Sequence, residues 1–236
     1  MSADGGAADA LAVRARVVRP GGGFELDVDL TFGAGISVIF GPSGSGKSTT
    51  LGVVAGIVKP TTGRVTMGAD VWLDTDRRAA VPIERRRIAY VFQSLGLFPH
   101  LSALGNVTFG MDRKTPAAER EKKAQACLDR FRAGHLAKRK PRTFSGGEGQ
   151  RVALARAFAM TPRLVLLDEP FSALEEGLRA EFADDLRAFA RELSIPVVLV
   201  THDRGEARAI ADHVVLMDKG RAVASGPASQ ILGGSR

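Results

Sequence analysis

The sequence predicts an α/β protein whose sheet core is interrupted by a helical insertion. Three observations carry this. Short apolar or alternating runs such as FELDVDLTF, GISVIF, PRLVLLDEP and SIPVVLVTHD read as strands. One of them, GISVIF, runs through a glycine-rich loop into the helical pattern KSTTLGVVAGIV. From about Ser94 to Met160 strand patterns vanish and helical ones take over, before strands return.

The elements follow in order. The first ten residues, MSADGGAADA, are small and polar and read as a frayed end without the basic start and apolar core of a secretory signal. Phe24 to Phe32 alternates apolar and polar, the pattern of a half-buried strand, and Gly35 to Phe40 is a buried strand. GRVTMGADVWLD and RIAYVFQ read as further strands. PAAEREKKAQACLDRF is helical. Leu178, Phe182, Leu186, Phe189 and Leu193 fall on one helix face. HVVLMDKGRAVASG is a hairpin turning at Asp218–Gly220.

Composition limits the function classes. Hydrophobic residues at 44% and charged residues at 25% argue for a globular chain. No apolar run reaches membrane-span length, so the expectation is a cytosolic protein that meets a membrane through a partner. Cys127 is the single cysteine; it excludes an internal disulfide and reads as a packed thiol in a reducing compartment. The net charge of +7 comes in groups such as Arg85–Arg87 and Lys138–Arg142. These either meet nucleic acid, anionic membrane or phosphorylated ligands, or form a solvated face.

GPSGSGKST, spanning Gly41, Pro42, Ser43, Gly44, Ser45, Gly46, Lys47, Ser48 and Thr49, satisfies the P-loop spacing between a strand and a helix. Glycines let backbone N–H groups approach phosphate oxygens, Lys47 brings a positive charge, and the Ser48 hydroxyl suits Mg²⁺. The helix start adds its positive end. LVLLDEP supplies the acidic complement. Asp168 suits Mg²⁺ directly or through water, and Glu169 is placed to orient or deprotonate an attacking water. Lys47 and Asp168 lie far apart in the chain, and the helical insertion fills the excess.

A second glycine pair, in TFSGGEGQRVALARAF, precedes a helix but has no strand before it and no lysine after it. GPSGSGKST, VFQSLGLFPHLSALGNV, FSGGEGQR, LLDEPFSAL and VLVTHD occur in the order of an ABC transporter ATPase subunit. The chain resembles that family from about Phe24 to about Leu232, and its FGPSGSGKST and PRTFSGGEGQRVALARAF wording is most like the molybdate importer subfamily. The resemblance implies a P-loop NTPase (RecA-like) core with an antiparallel β part and an inserted α-helical subdomain, the ABC ATPase fold. It implies one domain over 1–236, with 10–93 and 161–236 as nucleotide-binding core and 94–160 as helical subdomain.

Roles follow residue by residue from the resemblance. Gln93 matches the glutamine that contacts Mg²⁺ or the attacking water. His202 matches the switch histidine near the γ-phosphate, and with Glu169 and Gln93 completes the catalytic set. His100 has no such match and reads as surface. Ser145, Gly146, Gly147 and Glu148 match a signature that meets ATP held by the other subunit; Phe144 and Glu148 replace the commoner leucine and glutamine. Ser172, Ala173, Leu174 and Glu175 match the dimer-interface loop, with Glu175 in place of the usual aspartate. Phe24 is either the aromatic that stacks on adenine or a strand residue of the core. The region of Leu95, Leu97, Phe98 and Leu101 packs inside the helical lobe, or helps form a groove for a permease helix.

The implied cofactors are ATP and Mg²⁺. The implied partners are integral-membrane permease subunits, a second copy arranged head to tail, and indirectly a solute-binding protein outside the membrane; nucleic acid is not among them. The implied location is peripheral, on the cytoplasmic face of a bacterial membrane. The implied function is ATP hydrolysis that powers uptake of molybdate or a similar oxyanion. The alternatives are a thiamine, sulfate or iron importer, or a soluble ABC-type ATPase acting on DNA. Molybdate-type ATPases commonly carry a C-terminal oxyanion-binding domain; with the sequence reaching Arg236 shortly after the hairpin, the expectation is either a molybdate-type subunit lacking that extension or another importer type without it, such as the short thiamine-type ATPases.

Overall fold

The first strand starts earlier than the sequence pattern suggested. In the computed structural model, which describes residues 10–18, 21 and 23–233, β1 runs Leu11–Val18. Its LAVRARVV alternation buries Leu11, Val13, Ala15 and Val17 while Arg14 and Arg16 face solvent. The expected frayed end lies almost wholly outside the described residues.

The chain continues through β2 (Glu25–Phe32), β3 (Gly35–Phe40), α1 (Lys47–Ala55), β4 (Thr62–Met67), β5 (Asp70–Asp74), β6 (Ala79–Ala80) and β7 (Ile88–Val91). Helices α2 (Ala103–Phe109), α3 (Ala117–Arg130) and α4 (Gly146–Ala159) follow, with no strand between them. Then come β8 (Leu164–Asp168), α5 (Glu176–Leu193), β9 (Pro196–Thr201), α6 (Arg204–Ile210), β10 (His213–Asp218), β11 (Arg221–Pro227) and α7 (Ala228–Ile231).

One sheet holds all these strands in the order β6-β5-β4-β1-β2-β11-β10-β3-β9-β8-β7. From β10 to β7 the pairing is parallel; from β6 to β2 it is antiparallel. The parallel strands are apolar throughout because both faces are covered, as LVLL in β8 and PVVLVT in β9 illustrate. On one face α1 packs Leu51, Val53 and Val54 into a core shared by the antiparallel strands and the parallel strands β8 and β9. On the other face α4 and α5 enclose the second core. There Phe131, Phe158 and Phe189 meet at centroid distances of 4.5 to 5.5 Å, which ties the insertion to α5.

Helix α1 is shorter than the sequence pattern suggested. It stops at Ala55 because Gly56 turns left-handed, at φ 85°, and returns its N–H to Gly52 and Val53. Arg86 closes that end. Its guanidinium donates to Val54 O at 2.8 Å, Trp72 O at 3.1 Å and Val81 O at 3.0 Å. Arg86 is 3% exposed, so the basic group Arg85–Arg87 is not a continuous charged face. One of its charges is buried against a helix C-terminus, where a cation is favoured. Phe182, Leu186 and Phe189 of α5 are buried as the periodicity predicted, and Leu178 is half-buried. The Leu193 side chain lies outside the described residues.

Candidate functional site

The site lies at the carboxyl ends of β3, β8 and β9. The loop after β3 wraps Gly41–Gly46 into the start of α1, and Gly46 sits at φ 101°, where a β-carbon is unfavourable. No side chain caps α1 and no acidic residue lies in its first turn, so its first N–H groups remain open to an anion. Lys47 is 6% exposed and donates its ammonium to Gly41 O and Pro42 O, both at 2.8 Å. Burial lowers its pKa, and the nearby Glu169 and Asp168 charges act in the opposite direction.

The acidic pair at the end of β8 meets this loop. Ser48 Oγ donates to Asp168 Oδ1 at 2.9 Å, joining two residues 120 apart in sequence. Burial pushes the Asp168 carboxyl up, and its hydrogen bond from Ser48 partly offsets that. Tyr90, at the end of β7, donates to Asp168 Oδ2 at 3.5 Å. Burial raises the Tyr90 phenol further above its ordinary range, which keeps it a donor. Tyr90 was not among the expected site residues; a tyrosine three positions before Gln93 on a buried strand carried no signal by itself.

Glu169 is held at φ 49°, an uncommon conformation for a residue with a β-carbon, by its N–H bond to Val200 O at 3.0 Å. This aims its carboxylate away from β8. Gln93 Nε2 donates to Glu169 Oε2 at 3.2 Å, and His202 Nδ1 lies 3.0 Å from Oε1. The carbonyl of Glu169 accepts the Ser172 hydroxyl at 2.9 Å, which anchors the loop Ser172–Glu175. Phe24, Ser43, Gly44, Lys47, Ser48 and Glu169 line one cleft of about 350 Å³. Phe24 also packs on the core cluster that includes the antiparallel strands, as its reading as a core residue expected. His100 is exposed on the surface.

A larger open depression of about 650 Å³ lies elsewhere, on the outer face of the antiparallel part. Its arginines face carboxylates, Arg16 to Glu25 at 2.8 Å and Arg64 to Asp74 at 3.8 Å, and no P-loop residue reaches it.

The segment Ser145–Glu148 does not line the cleft beside the P-loop. Ser145 Oγ accepts the N–H of Glu148 at 3.2 Å, and Glu148 Oε2 accepts the N–H of Ser145 at 2.8 Å, a complete capping box on α4. The glutamate that replaces glutamine therefore turns back on its own helix end. Its other oxygen takes Arg139 at 3.0 Å, with His135 at 3.7 Å. The Ser145 backbone bond is the main cause holding this carboxyl below its usual range, and Arg139 adds to it. Arg139 also bonds the carbonyl and hydroxyl of Thr143, so this member of the Lys138–Arg142 group is spent inside the turn. Gly146 and Gly147 pack on Ala173 and Leu174.

Residues 26–172 match the family model described as ABC transporter. The chain belongs to the ABC transporter family. Solved ABC cassettes superpose on it over most of their length. A dimeric ATP-binding cassette in a post-hydrolysis state bound to ADP and Pi aligns with TM-score 0.78 and 31% identity, covering 92% of this chain and 98% of that one. The cassette cbiO1 from Clostridium perfringens aligns with TM-score 0.81 and 28% identity, covering 94% and 90%. The fold is therefore the P-loop ABC ATPase fold. Among curated ABC relatives, the molybdenum import ATP-binding protein ModC of Methylococcus capsulatus is 46% identical over 211 residues, 89% of this chain and 58% of the relative. ModC of Thiobacillus denitrificans is 46% identical over 226 residues, 94% and 60%. The chain thus spans about three fifths of the length of these ABC relatives.

Proposed function

We propose that this chain is the ATP-hydrolysing subunit of an ABC importer for molybdate or a similar oxyanion, working as a head-to-tail dimer. The observation that carries the enzymatic part is the convergence of Gln93, Glu169 and His202 beside an uncapped P-loop helix. The ModC relatives support the cargo, and the dimeric cassettes support the assembly. Thiamine, sulfate or iron importers remain the alternatives.

ATP lays its phosphates over the N-terminus of α1, with adenine against Phe24. Lys47 exchanges its two loop carbonyls for phosphate oxygens. Among the described residues no cluster of three or more His, Cys, Asp or Glu gathers to hold a metal. Ser48 and Asp168 already share a hydrogen bond, and they, with the amide oxygen of Gln93, would supply the hard oxygen ligands that suit Mg²⁺. Bound there, Mg²⁺ would neutralise charge on the β- and γ-phosphates. Glu169 takes a proton from water as the water oxygen bonds to the γ-phosphorus. The bond from that phosphorus to the bridging oxygen breaks, and ADP and phosphate leave. His202 holds the γ-phosphate. The other copy presents Ser145, Gly146 and Gly147, whose N–H groups and helix start face that phosphate. The loop Ser172–Glu175 crosses the interface.

Residues 94–160 act as a helical subdomain on a core of 10–93 and 161–236. An exposed apolar groove, lined by Ile57, Ile83, Phe92, Phe98, Phe109 and Met160, joins the two parts and suits a permease helix. Among the described residues no helix is long and apolar enough to cross a membrane. Docking on a permease places the subunit at the cytoplasmic face, where a solute-binding protein acts on it indirectly.

Uptake of labelled molybdate into cells lacking this gene tests the proposal. The gene should restore uptake and its Glu169→Gln variant should not. Restoration of thiamine, sulfate or iron uptake instead would move the cargo to that solute.

A further inference from the structure

Arg179, near the start of α5, joins the loop Ser172–Glu175 to α6, the helix that follows His202. Its Nε donates to Leu174 O at 3.4 Å, and its Nη1 lies 3.3 Å from Glu206 Oε1. Leu174 belongs to the interface loop and is buried. That loop packs on the signature of the same chain. A β-carbon on Gly146 would lie 2.7 Å from Ala173 O, and one on Gly147 would lie 3.3 Å from Leu174 Cδ2.

Glu206 connects in the other direction. The second oxygen of this carboxylate accepts the hydroxyl of Thr201, whose Oγ1 in turn accepts the N–H of Asp203 at 3.0 Å. Asp203 Oδ1 accepts the N–H of Glu206 at 2.9 Å, closing a ring of bonds around the backbone of His202. The Glu206 side chain is 9% exposed, and burial raises its pKa despite Arg179. A carboxylate so enclosed depends on its few partners, because water cannot replace them.

We propose that Arg179 and Glu206 are positioning residues that couple the two nucleotide sites of the dimer. This rests on the dimeric reading above. The signature of one chain faces the ATP held by its partner, while His202 of the same chain faces its own. The path from Gly146 and Gly147 runs through Leu174, Arg179, Glu206 and Thr201, each step a packing contact, an ion pair or a hydrogen bond, and ends on the peptide bond from Thr201 to His202. A guanidinium with two fixed acceptors transmits a shift of Leu174 to Glu206, because its planar fork cannot follow one acceptor without straining the other. Neither residue touches the nucleotide cleft.

The test is the rate of phosphate release against ATP concentration for the parent, Arg179→Ala, Glu206→Gln and the double variant. A fluorescent ATP analogue gives nucleotide affinity separately. Each single variant should lose kcat by about 10-fold, a typical coupling between sites. Its Hill coefficient should fall toward one while analogue affinity stays the same. The double variant should be no slower than the slower single variant. Arg179→Lys keeps a charge beside Glu206 but cannot serve both acceptors, so it should keep the thermal stability of the parent and still lose cooperativity. Glu206→Gln is isosteric and decides the matter alone should Arg179→Ala not fold. A parental Hill coefficient in Glu206→Gln, or additive losses in the double variant, would overturn the coupling. Non-cooperative hydrolysis by the parent would instead overturn the dimeric reading beneath it.

Discussion

His202 Nδ1 lies 3.0 Å from Glu169 Oε1, although the two residues stand on different strand ends, β9 and β8, and 33 positions apart. Glu169 is thus oriented by the histidine on one oxygen and by Gln93 on the other. Glu169→Gln preserves the shape and removes the base. Phosphate release should fall by about 10²- to 10⁴-fold, the usual worth of a positioned base, with ATP still bound and the dimer still formed. Parental turnover in this variant would remove Glu169 from the mechanism.

Lys47 is buried with its ammonium on two carbonyls of its own loop, ready to exchange them for phosphate. Lys47→Ala removes the one cation seated in the phosphate loop. ATP affinity, read by calorimetry, should weaken by about 2–4 kcal/mol, as for loss of one partner of an enclosed charge pair. An unaltered dissociation constant contradicts the assignment.

Ser145 caps α4 and lies outside the P-loop cleft. Ser145→Arg should bind ATP as a monomer yet neither dimerise nor hydrolyse it, at a folding cost of about 1 kcal/mol for the lost cap. Sedimentation of the variant with ATP checks this. A dimer at the parental concentration would place the signature outside the interface.

Glu148 carries a lowered pKa, chiefly because it accepts the N–H of Ser145. A carboxyl lowered on folding adds stability that is complete above its unfolded value, ordinarily 4.5, and is lost as pH falls through the lower folded value. The melting temperature of the parent should therefore exceed that of Glu148→Gln near neutrality, and the gap should close as pH drops below 4.5. A gap that stays constant into acid would mean that the charge of Glu148 does not support the capping box.

Arg86 serves three carbonyls, Val54 O at the end of α1, Trp72 O in β5 and Val81 O after β6. Arg86→Ala orphans them and should destabilise the fold by about 2–4 kcal/mol in denaturant titration. Arg86→Lys should recover little, since one ammonium cannot match the spread of a guanidinium. Full recovery by lysine would show that charge, not geometry, matters there.

The parts of this protein that were legible in the sequence are local. The P-loop declares itself because every group it needs lies within nine residues, between a strand and a helix whose periodicities differ. The insertion was visible as a loss of strand texture, and the hairpin after His213 as a turn between apolar runs. β1 was missed because apolar Ala12 and Val18 occupy outward positions and blur the alternation, and the end of α1 was placed late because apolar residues continue beyond Gly56.

What the sequence determined by itself is the phosphate loop, the acidic pair that answers it, and the order of the family's motifs. The tertiary structure decided which side chains meet. It set Glu169 between Gln93 and His202, turned Glu148 onto its own helix end and Arg139, and buried Arg86 under α1. It also joined the loop Ser172–Glu175 to Thr201, the neighbour of His202, through Arg179 and Glu206. The contacts Gln93–Glu169, Glu169–His202, Arg86–Val54 and Arg179–Glu206 each span tens of residues. Backbone propensity and spacing fix neighbours within a helix or strand, whereas contacts at such separations exist only once the sheet has set its strand order and brought those ends together.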